Sequence, residues 1–396
     1  MKKIFAIILS AMLLLSMTAC GGGGEKEAET IKVGILGPHT GELAVYGLAV
    51  RYGAEMYFKQ VNDAGGVNGK MIEVVNYDDQ GDATMAVTGF TSLVDDGIVA
   101  LVGEVTTGNC RAVVDEAYPI NMPMVTASAT ATSITYDEET KTVFKNVFRT
   151  CFIDAYQGSK MADFASKELG AKKAAVLYLS GDDYTQGLAE AFEAQCKEMG
   201  VEVVAKEAFS KGDKDFNAQL TTIMAANPDV VFLPNYYEDD GMIVTQARAL
   251  GIKCTLLGGD GWAGIEKYAS AADLAGCYYA SAYAAGSTAE LKAFEEAFVA
   301  AYGEDYLNMF AATAYDAAMV VVEGLKAAEA KGAKAGEEDY KQAVIDGIDQ
   351  NAGNVKGITS PSGYKFDEYN NPEKDVVIMT IKDVEGVPTP TYHMNY

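Results

Sequence analysis

The chain has 396 residues, 49% of them hydrophobic and 22% charged, with a formal net charge of −25. That length is enough for two domains with a core each, and the apolar content excludes a disordered chain. A surface this acidic repels nucleic-acid backbones and anionic lipid, so no nucleic-acid partner is expected.

The first segment sets the compartment. Lys2 and Lys3 precede an apolar run over 4–15, and Met17-Thr18-Ala19-Cys20 follows. A positive start, a short apolar stretch and small residues before a cut site predict a secretory signal peptide over 1–19. The run is too short to span a bilayer, which takes roughly 20 helical residues. Small residues ending in a cysteine resemble the lipobox of bacterial lipoproteins, which implies that Cys20 is lipidated and becomes the first mature residue. A plain signal peptide with an incidental cysteine is the alternative. Gly21 to Gly24 and the polar residues after them make 20–30 a flexible tether.

Strand and helix then alternate. A strand over 31–36 ends in Gly37-Pro38. Residues 47–62 predict a helix, with Val50, Ala54, Tyr57, Phe58 and Val61 on one face. A glycine-rich turn at 64–69 leads to a strand over 71–77. Residues 82–95 predict a helix opened by the acidic cap Asp82. Short apolar strands at 98–102 and 124–127 follow. After Arg149 the rhythm restarts with helices at 154–169, 184–199, 215–226 and 239–250, and strands at 174–179, 201–205, 230–233 and 255–257. Asn227-Pro228 stops the third of these helices. Short apolar strands between helices mean parallel sheets with helices on both faces, and two such runs point to two similar α/β lobes. The tail has helices at 288–302, 309–330 and 337–348 and a strand at 376–382. It is short of strands and is expected to pack back onto the two lobes.

Catalytic patterns are scarce. The two histidines, His39 and His393, stand at opposite ends, and neither fits a zinc or triad pattern. There is no GxSxG and no P-loop. Gly259-Asp260-Gly261-Trp262-Ala263-Gly264 fits the letters GxGxxG after a strand. The helix behind it is too short for a dinucleotide site, and no acid is well placed about 20 residues on. No enzyme activity, metal or cofactor is expected. Beyond Cys20 stand Cys110, Cys151, Cys196, Cys254 and Cys277, without CxxC or metal spacing. An odd number cannot all pair; they read mostly as small buried hydrophobes, with a single bridge left open.

The strand-end loops carry more. Val105-Thr106-Thr107-Gly108-Asn109 and Ser128-Ala129-Thr130-Ala131-Thr132-Ser133 are rich in hydroxyls and small residues. Ligands of open α/β sheets bind beyond the carboxyl ends of strands, and a helix start with added hydroxyls suits a carboxylate. Ordinary helix caps explain either loop as well. Tyr46, Tyr184 and Tyr236 also lie at strand-end loops, as ligand contacts or as packing aromatics.

In order along the chain stand Ile31-Lys32-Val33, Thr40-Gly41, Tyr46-Gly47, Asn62-Asp63-Ala64-Gly65-Gly66-Val67-Asn68-Gly69, Tyr77-Asp78-Asp79 and Phe148-Arg149-Thr150. Tyr184 with Gly187, Lys214-Asp215-Phe216, Gln246-Ala247-Arg248 with Gly251, Gly258-Gly259-Asp260-Gly261, Tyr315-Asp316-Ala317 and Phe366-Asp367 follow. Together these residues resemble the leucine/isoleucine/valine-binding protein family, over nearly all of the chain beyond the tether. The resemblance implies a type I periplasmic-binding fold. Its two α/β lobes, 31–150 with 283–365 and 151–282 with 366–396, are each a parallel sheet flanked by helices, and three crossovers join them. It also implies a substrate-binding lipoprotein of an ABC importer, holding a branched-chain or other apolar amino acid between the lobes without turnover.

By matching position, Thr107 and Thr130 hold the ligand's α-carboxylate, and Asp260 and the Ser128 carbonyl hold its α-ammonium, with Ala129 beside them. Tyr236 adds a hydroxyl; Tyr46, Tyr184 and Phe310 surround the side chain. A turn cap between glycines is the alternative reading of Asp260. Glu104 departs from the family pattern beside the carboxylate loop, where it would disfavour a simple anion or recognise a polar side chain. Gly81 and Thr106 stand where some relatives carry a disulfide, and Trp262 either lines the pocket or packs. The implied partners are an amino acid, a membrane permease and, through the lipid anchor, the membrane, with the protein a monomer. An amide, urea or aromatic-acid binder of the same fold, a sensor, and an extracytoplasmic NAD-dependent oxidoreductase are the alternatives.

Overall fold

The structure is a computed structural model and describes residues 30–396. The expected signal peptide, Cys20 and the tether up to residue 29 lie outside the described residues.

In chain order the first elements are β1 (Thr30–Gly37), α1 (Ala44–Asp63), β2 (Met71–Asp78), α2 (Ala83–Asp95), β3 (Ala100–Val102), α3 (Thr107–Ala117) and β4 (Met124–Thr126). A two-residue ladder, β5 (Tyr136–Asp137) with β6 (Thr142–Val143), precedes β7 (Val147–Arg149). Then come α4 (Asp154–Lys167), β8 (Lys173–Leu179), α5 (Asp183–Met199), β9 (Glu202–Phe209), α6 (Asn217–Ala226), β10 (Val230–Leu233), α7 (Tyr237–Ala249) and β11 (Thr255–Gly258). The chain ends with α8 (Ala271–Leu274), β12 (Tyr278–Ser281), α9 (Ala289–Tyr302), α10 (Met309–Lys331), α11 (Glu338–Asn351), β13 (Val377–Val384) and β14 (Val387–Asn395).

Local chemistry sets the boundaries. The Asp82 side chain accepts from the Met85 N–H at 2.9 Å, the acidic cap expected for α2. Asp182 caps α5 in the same way through the Thr185 N–H, at 3.0 Å. Asn227 ends α6 with φ of 50°, a left-handed conformation that asparagine tolerates, just ahead of Pro228.

The strands form two main sheets, ordered β2-β1-β3-β4-β7 and β14-β13-β12-β11-β10-β8-β9. In the first, β1/β3, β3/β4 and β4/β7 pair in parallel. The second is parallel from β9 through β12 and turns antiparallel at β13 and β14. This antiparallel edge adds to the parallel sheet expected, and the tail supplies more strand than its sequence promised. Pro388 and Pro390 sit in β14, where an edge position tolerates their missing N–H groups and blunts further pairing.

Helix α10 lies along α1 and over β3 and β4. The close approach requires glycine at Gly53, where a Cβ would run into the Ala311 carbonyl. One apolar cluster fills the space around both sheets, and a second, with Leu36, Phe90, Leu101, Val114 and Met124, covers the other face of the first sheet. All five described cysteines are unbridged; four are buried and Cys254 is half-buried. Among the described residues no helix is long and apolar enough to cross a membrane.

Candidate ligand pocket

The carboxyl ends of the short strands carry the site. From β3 the chain passes through Val105 and Thr106 into α3, and from β4 into Ser128. In the second sheet, β10 leads to Tyr236, and β11 leads to a single 3-10 turn over Asp260–Trp262. These ends meet α1 and α10 around a pocket lined by Tyr46, Val105, Thr106, Thr107, Ser128, Tyr184, Tyr236, Asp260, Gly261 and Phe310. The pocket is small: its open space is about 280 Å³ even with the solvent at its mouth included.

Of the residues expected at the site, Thr107, Ser128, Asp260, Tyr236, Tyr184, Tyr46 and Phe310 line this pocket, and Ala129, Thr130 and Glu104 do not. The Ala129 carbonyl is taken by Arg149 Nη1 at 3.0 Å. Thr130 is buried just behind the lining; its carbonyl accepts from the Asp154 N–H at 3.0 Å. Glu104 turns into the protein, where Oε2 accepts from the Thr106 N–H at 2.8 Å and from Thr106 Oγ1 at 3.3 Å. Burial, and then the neighbouring Asp79, hold the Glu104 carboxyl well above the usual carboxylate range. Glu104 therefore shapes the loop and presents no charge to the pocket.

Val105, Thr106 and Gly261 were read from the sequence only as parts of their loops, not as site residues. Thr106 carried the same signal as Thr107, a hydroxyl in the strand-end loop. Gly261 is required because a Cβ there would crowd the Tyr184 hydroxyl and the Asn235 carbonyl. Trp262 packs: it is fully buried against Gly258, and its indole N–H donates to the Leu233 carbonyl at 3.0 Å and to Asp240 Oδ2 at 2.6 Å.

The two ends of the pocket differ in charge. At one end, Thr107 opens α3 and is buried, and its Oγ1 has no hydrogen-bond partner. Ser128 Oγ donates to the Val105 carbonyl at 2.7 Å, and Thr126 Oγ1 donates to the Glu104 carbonyl at 2.7 Å, tying the two loops together. Helix-start N–H groups and hydroxyls are donors of the kind that suit an anion.

At the other end Asp260 is 3% exposed. Tyr184 Oη and Gln157 Nε2 donate to its Oδ1 at 2.8 and 3.0 Å, and Gln157 Oε1 accepts from its N–H at 3.1 Å. Burial pushes its carboxyl up to about 6, so a bound cation would relieve a desolvated charge. Between the ends the rings form an apolar wall. Tyr184 stacks on Tyr236 with centroids 5.2 Å apart, and Tyr46 meets Phe310 edge-on at 4.9 Å. Tyr46 also donates from its hydroxyl to the Gly261 carbonyl and accepts from the Tyr237 N–H at 3.3 Å, while Tyr237 donates to the Glu42 carbonyl.

Among the described residues no three His, Cys, Asp or Glu side chains group as metal ligands. The pocket thus has a hydroxyl-bearing helix start at one end and one buried carboxyl at the other.

The comparisons with known proteins agree with this architecture. The family model described as periplasmic binding protein matches residues 30–386. Leu/Ile/Val-binding protein homolog 3 of Brucella melitensis is 35% identical over 239 residues, 60% of this chain; the chain spans 63% of that relative's length. The leucine-, isoleucine-, valine-, threonine- and alanine-binding protein of Pseudomonas aeruginosa is 33% identical over 313 residues, 79% of this chain and 80% of the relative. The crystal structure of the branched-chain amino acid transporter substrate-binding protein LivJ from Streptococcus pneumoniae, in complex with isoleucine, has a TM-score of 0.81 and 32% identity, covering 92% of this chain and 100% of that one. These relatives are named for binding and transport, not for a reaction. By its family match, its two helix-flanked sheets and its small two-ended pocket, the chain belongs to the periplasmic binding protein family.

Proposed function

We propose that this protein is the extracytoplasmic substrate-binding component of an ABC importer and holds a small apolar amino acid, branched-chain ones foremost, between two lobes. The lobes are 31–150 with 283–365 and 151–282 with 366–396, and Cys20 carries the lipid anchor. The observation that supports this reading most is the charge sorting of the pocket, with Thr107 and the start of α3 at one end and the buried Asp260 carboxylate at the other. A zwitterionic amino acid matches both ends, and the rings of Tyr46, Tyr184, Tyr236 and Phe310 suit an apolar side chain. Ligand bridging both lobes favours the closed form, because that form alone makes both sets of contacts. A permease then receives the closed form. The names of relatives that bind leucine, isoleucine and valine support the choice of ligand class.

A thermal-shift screen tests the reading. Leucine, isoleucine and valine are expected to raise the melting temperature, since a ligand that binds only the folded state stabilises it by mass action. Stabilisation by urea, acetamide or benzoate, and by no amino acid, would transfer the site to the other ligand classes.

The pH dependence is a second check. Binding an ammonium requires Asp260 ionised. Its carboxyl in the empty site titrates at about 6 because it is buried. Affinity therefore falls about tenfold for each unit of pH below about 6, as Asp260 takes up its proton. Calorimetric titrations from pH 7 to 4.5 read this slope, and a flat profile would remove a carboxylate from the ammonium end.

A further inference from the structure

Gln157 lies on α4 and is fully buried. Its amide makes two hydrogen bonds to a single residue: Nε2 donates to Asp260 Oδ1 at 3.0 Å, and Oε1 accepts from the Asp260 N–H at 3.1 Å. The side chain and the backbone of Asp260 are thus gripped together. The same Nε2 donates to Asp154 Oδ1 at 3.1 Å, one turn earlier on the helix. That third bond settles which way the amide points. Flipped, it would set Oε1 against the carboxyls and Nε2 against an N–H, so the observed orientation is the one that satisfies every partner.

Glycines let the amide reach. Gly158 follows Gln157, and a Cβ there would meet Ala191 Cβ at 2.7 Å and the Leu188 carbonyl at 2.9 Å, so α4 lies close along α5. Gly259 precedes Asp260, and a Cβ there would meet Gln157 Oε1 at 3.3 Å and the Tyr184 hydroxyl at 2.8 Å.

The grip leaves the two oxygens of Asp260 unequal. Tyr184 Oη also donates to Oδ1, at 2.8 Å, and itself accepts from the Gly261 N–H at 2.9 Å. Oδ1 therefore takes both side-chain donors and Oδ2 takes neither. Oδ2 is not among the fully buried polar atoms that lack a partner, and Asp260 lines the pocket. Oδ2 is the carboxyl oxygen open to a ligand.

We propose that Gln157 is a positioning residue of the ligand site: by occupying Oδ1 and the backbone N–H of Asp260 at once, it holds Oδ2 toward the ligand's ammonium. This rests on the amino-acid reading and deepens it. Gln157 is not part of the pocket lining, so it acts through Asp260. In that reading Gln157, Tyr184 and Asp260 all belong to the second lobe, and closure is not needed to form the grip.

The titratable groups facing Asp260 are Asp154 on α4, Cys151 after β7, Tyr184 on α5 and Tyr46 on α1. Burial, then the Asp260 charge, push the Asp154 carboxyl up to about 8. Burial lifts Cys151 to about 12 and the Tyr46 and Tyr184 hydroxyls well above their ordinary value. Between pH 7 and 4.5, Asp260 is the group of this set that changes charge. A donor on its carboxyl favours the ionised form, which is the binding form. Losing the Gln157 donor therefore raises the pH at which affinity begins to fall.

Calorimetric titrations with L-isoleucine test the inference on the full chain, on Gln157→Met, on Asp260→Ala and on the double variant. Methionine keeps the volume and removes every hydrogen bond of the amide. At pH 7, Gln157→Met is expected to weaken binding about tenfold where Asp260 is present, and less than about twofold where it is already alanine. Packing damage alone would weaken binding by one factor in both backgrounds. In titrations from pH 7 to 4.5, the fall in affinity of Gln157→Met is expected to begin about half a unit or more above that of the native chain.

A loss below about threefold, a loss that does not shrink when Asp260 is absent, or a pH midpoint that does not move overturns the role of Gln157. Should Gln157→Met not fold, Gln157→Asn, polar but one methylene short, takes its place with the same expectations. A native chain that binds no amino acid but does bind acetamide or benzoate overturns the amino-acid reading, and this inference with it. Isoleucine binding that ignores the loss of Gln157 overturns the inference alone.

Discussion

Asp260→Ala is expected to weaken L-isoleucine binding by on the order of 2–5 kcal/mol, a loss of about thirtyfold or more. The ammonium of a zwitterion loses its water on entering a pocket this small, and an unpaired charge in a dry site is penalised by its full desolvation. Tyr184 Oη and Gln157 Nε2 already hold the carboxylate in place, so little ordering is needed when ligand arrives. The same substitution should not destabilise the empty protein. The folded-state pKa of Asp260 is raised to about 6, so the carboxylate opposes folding at every pH above that and ceases to do so only on protonation below it. Calorimetry paired with thermal unfolding separates the two effects. Unchanged affinity, or an affinity loss that merely tracks a fall in melting temperature, would take Asp260 out of the site.

Arg149→Met is expected to cost about 3–5 kcal/mol of stability. Arg149 is fully buried and is held by carbonyls instead of a carboxylate: Nη1 donates to the Ala129 carbonyl, and Nη2 to the Ala131 carbonyl and Thr135 Oγ1. Methionine fills most of the volume but donates nothing, which leaves two buried carbonyls bare at about 1–3 kcal/mol each. Those carbonyls belong to the loop that carries Ser128 and Thr130, so ligand affinity should fall together with stability. Urea unfolding reads the first effect as a lower midpoint with an unchanged slope. A loss below about 1 kcal/mol would mean that water or a shifted loop satisfies the carbonyls.

Much of the fold was legible because strand and helix periods differ and the connections carry caps and breakers. Asp82 and Asn227-Pro228 marked helix ends where the structure has them. What escaped was short or disguised. Strand β7 has three residues, all buried, and β12 has four; runs that brief carry no period. Strand β14 holds two prolines, which argue against a strand except at an edge, and edge position is a tertiary fact.

The site divides in the same way. Asp260 could be placed through the family resemblance, and Thr107 and the tyrosines both through it and through their strand-end loops. Asp154 and Gln157 were read only as the start of a helix, although their i, i+3 spacing sets both on one face. Their meaning depends on Asp260, 103 residues beyond Gln157 in sequence, lying against that face. Glu104 was legible as a charge near the pocket, but not its inward orientation, which depends on the backbone of its own loop.

The hydrogen bonds from Tyr46 to the Gly261 carbonyl, from the Tyr237 N–H to Tyr46, and from Tyr237 to the Glu42 carbonyl contain no atom of a cargo molecule. In the proposed two-lobe cycle they would act as a latch that favours the shut shape. Apparent affinity scales with the fraction of molecules able to hold the shut shape, whatever they hold. Strengthening such a latch would tighten the grip on every solute by one common factor and leave the order of preference among solutes untouched. Avidity and selectivity can then drift independently, the first through Tyr46 and Tyr237, the second through the walls around the solute's side chain.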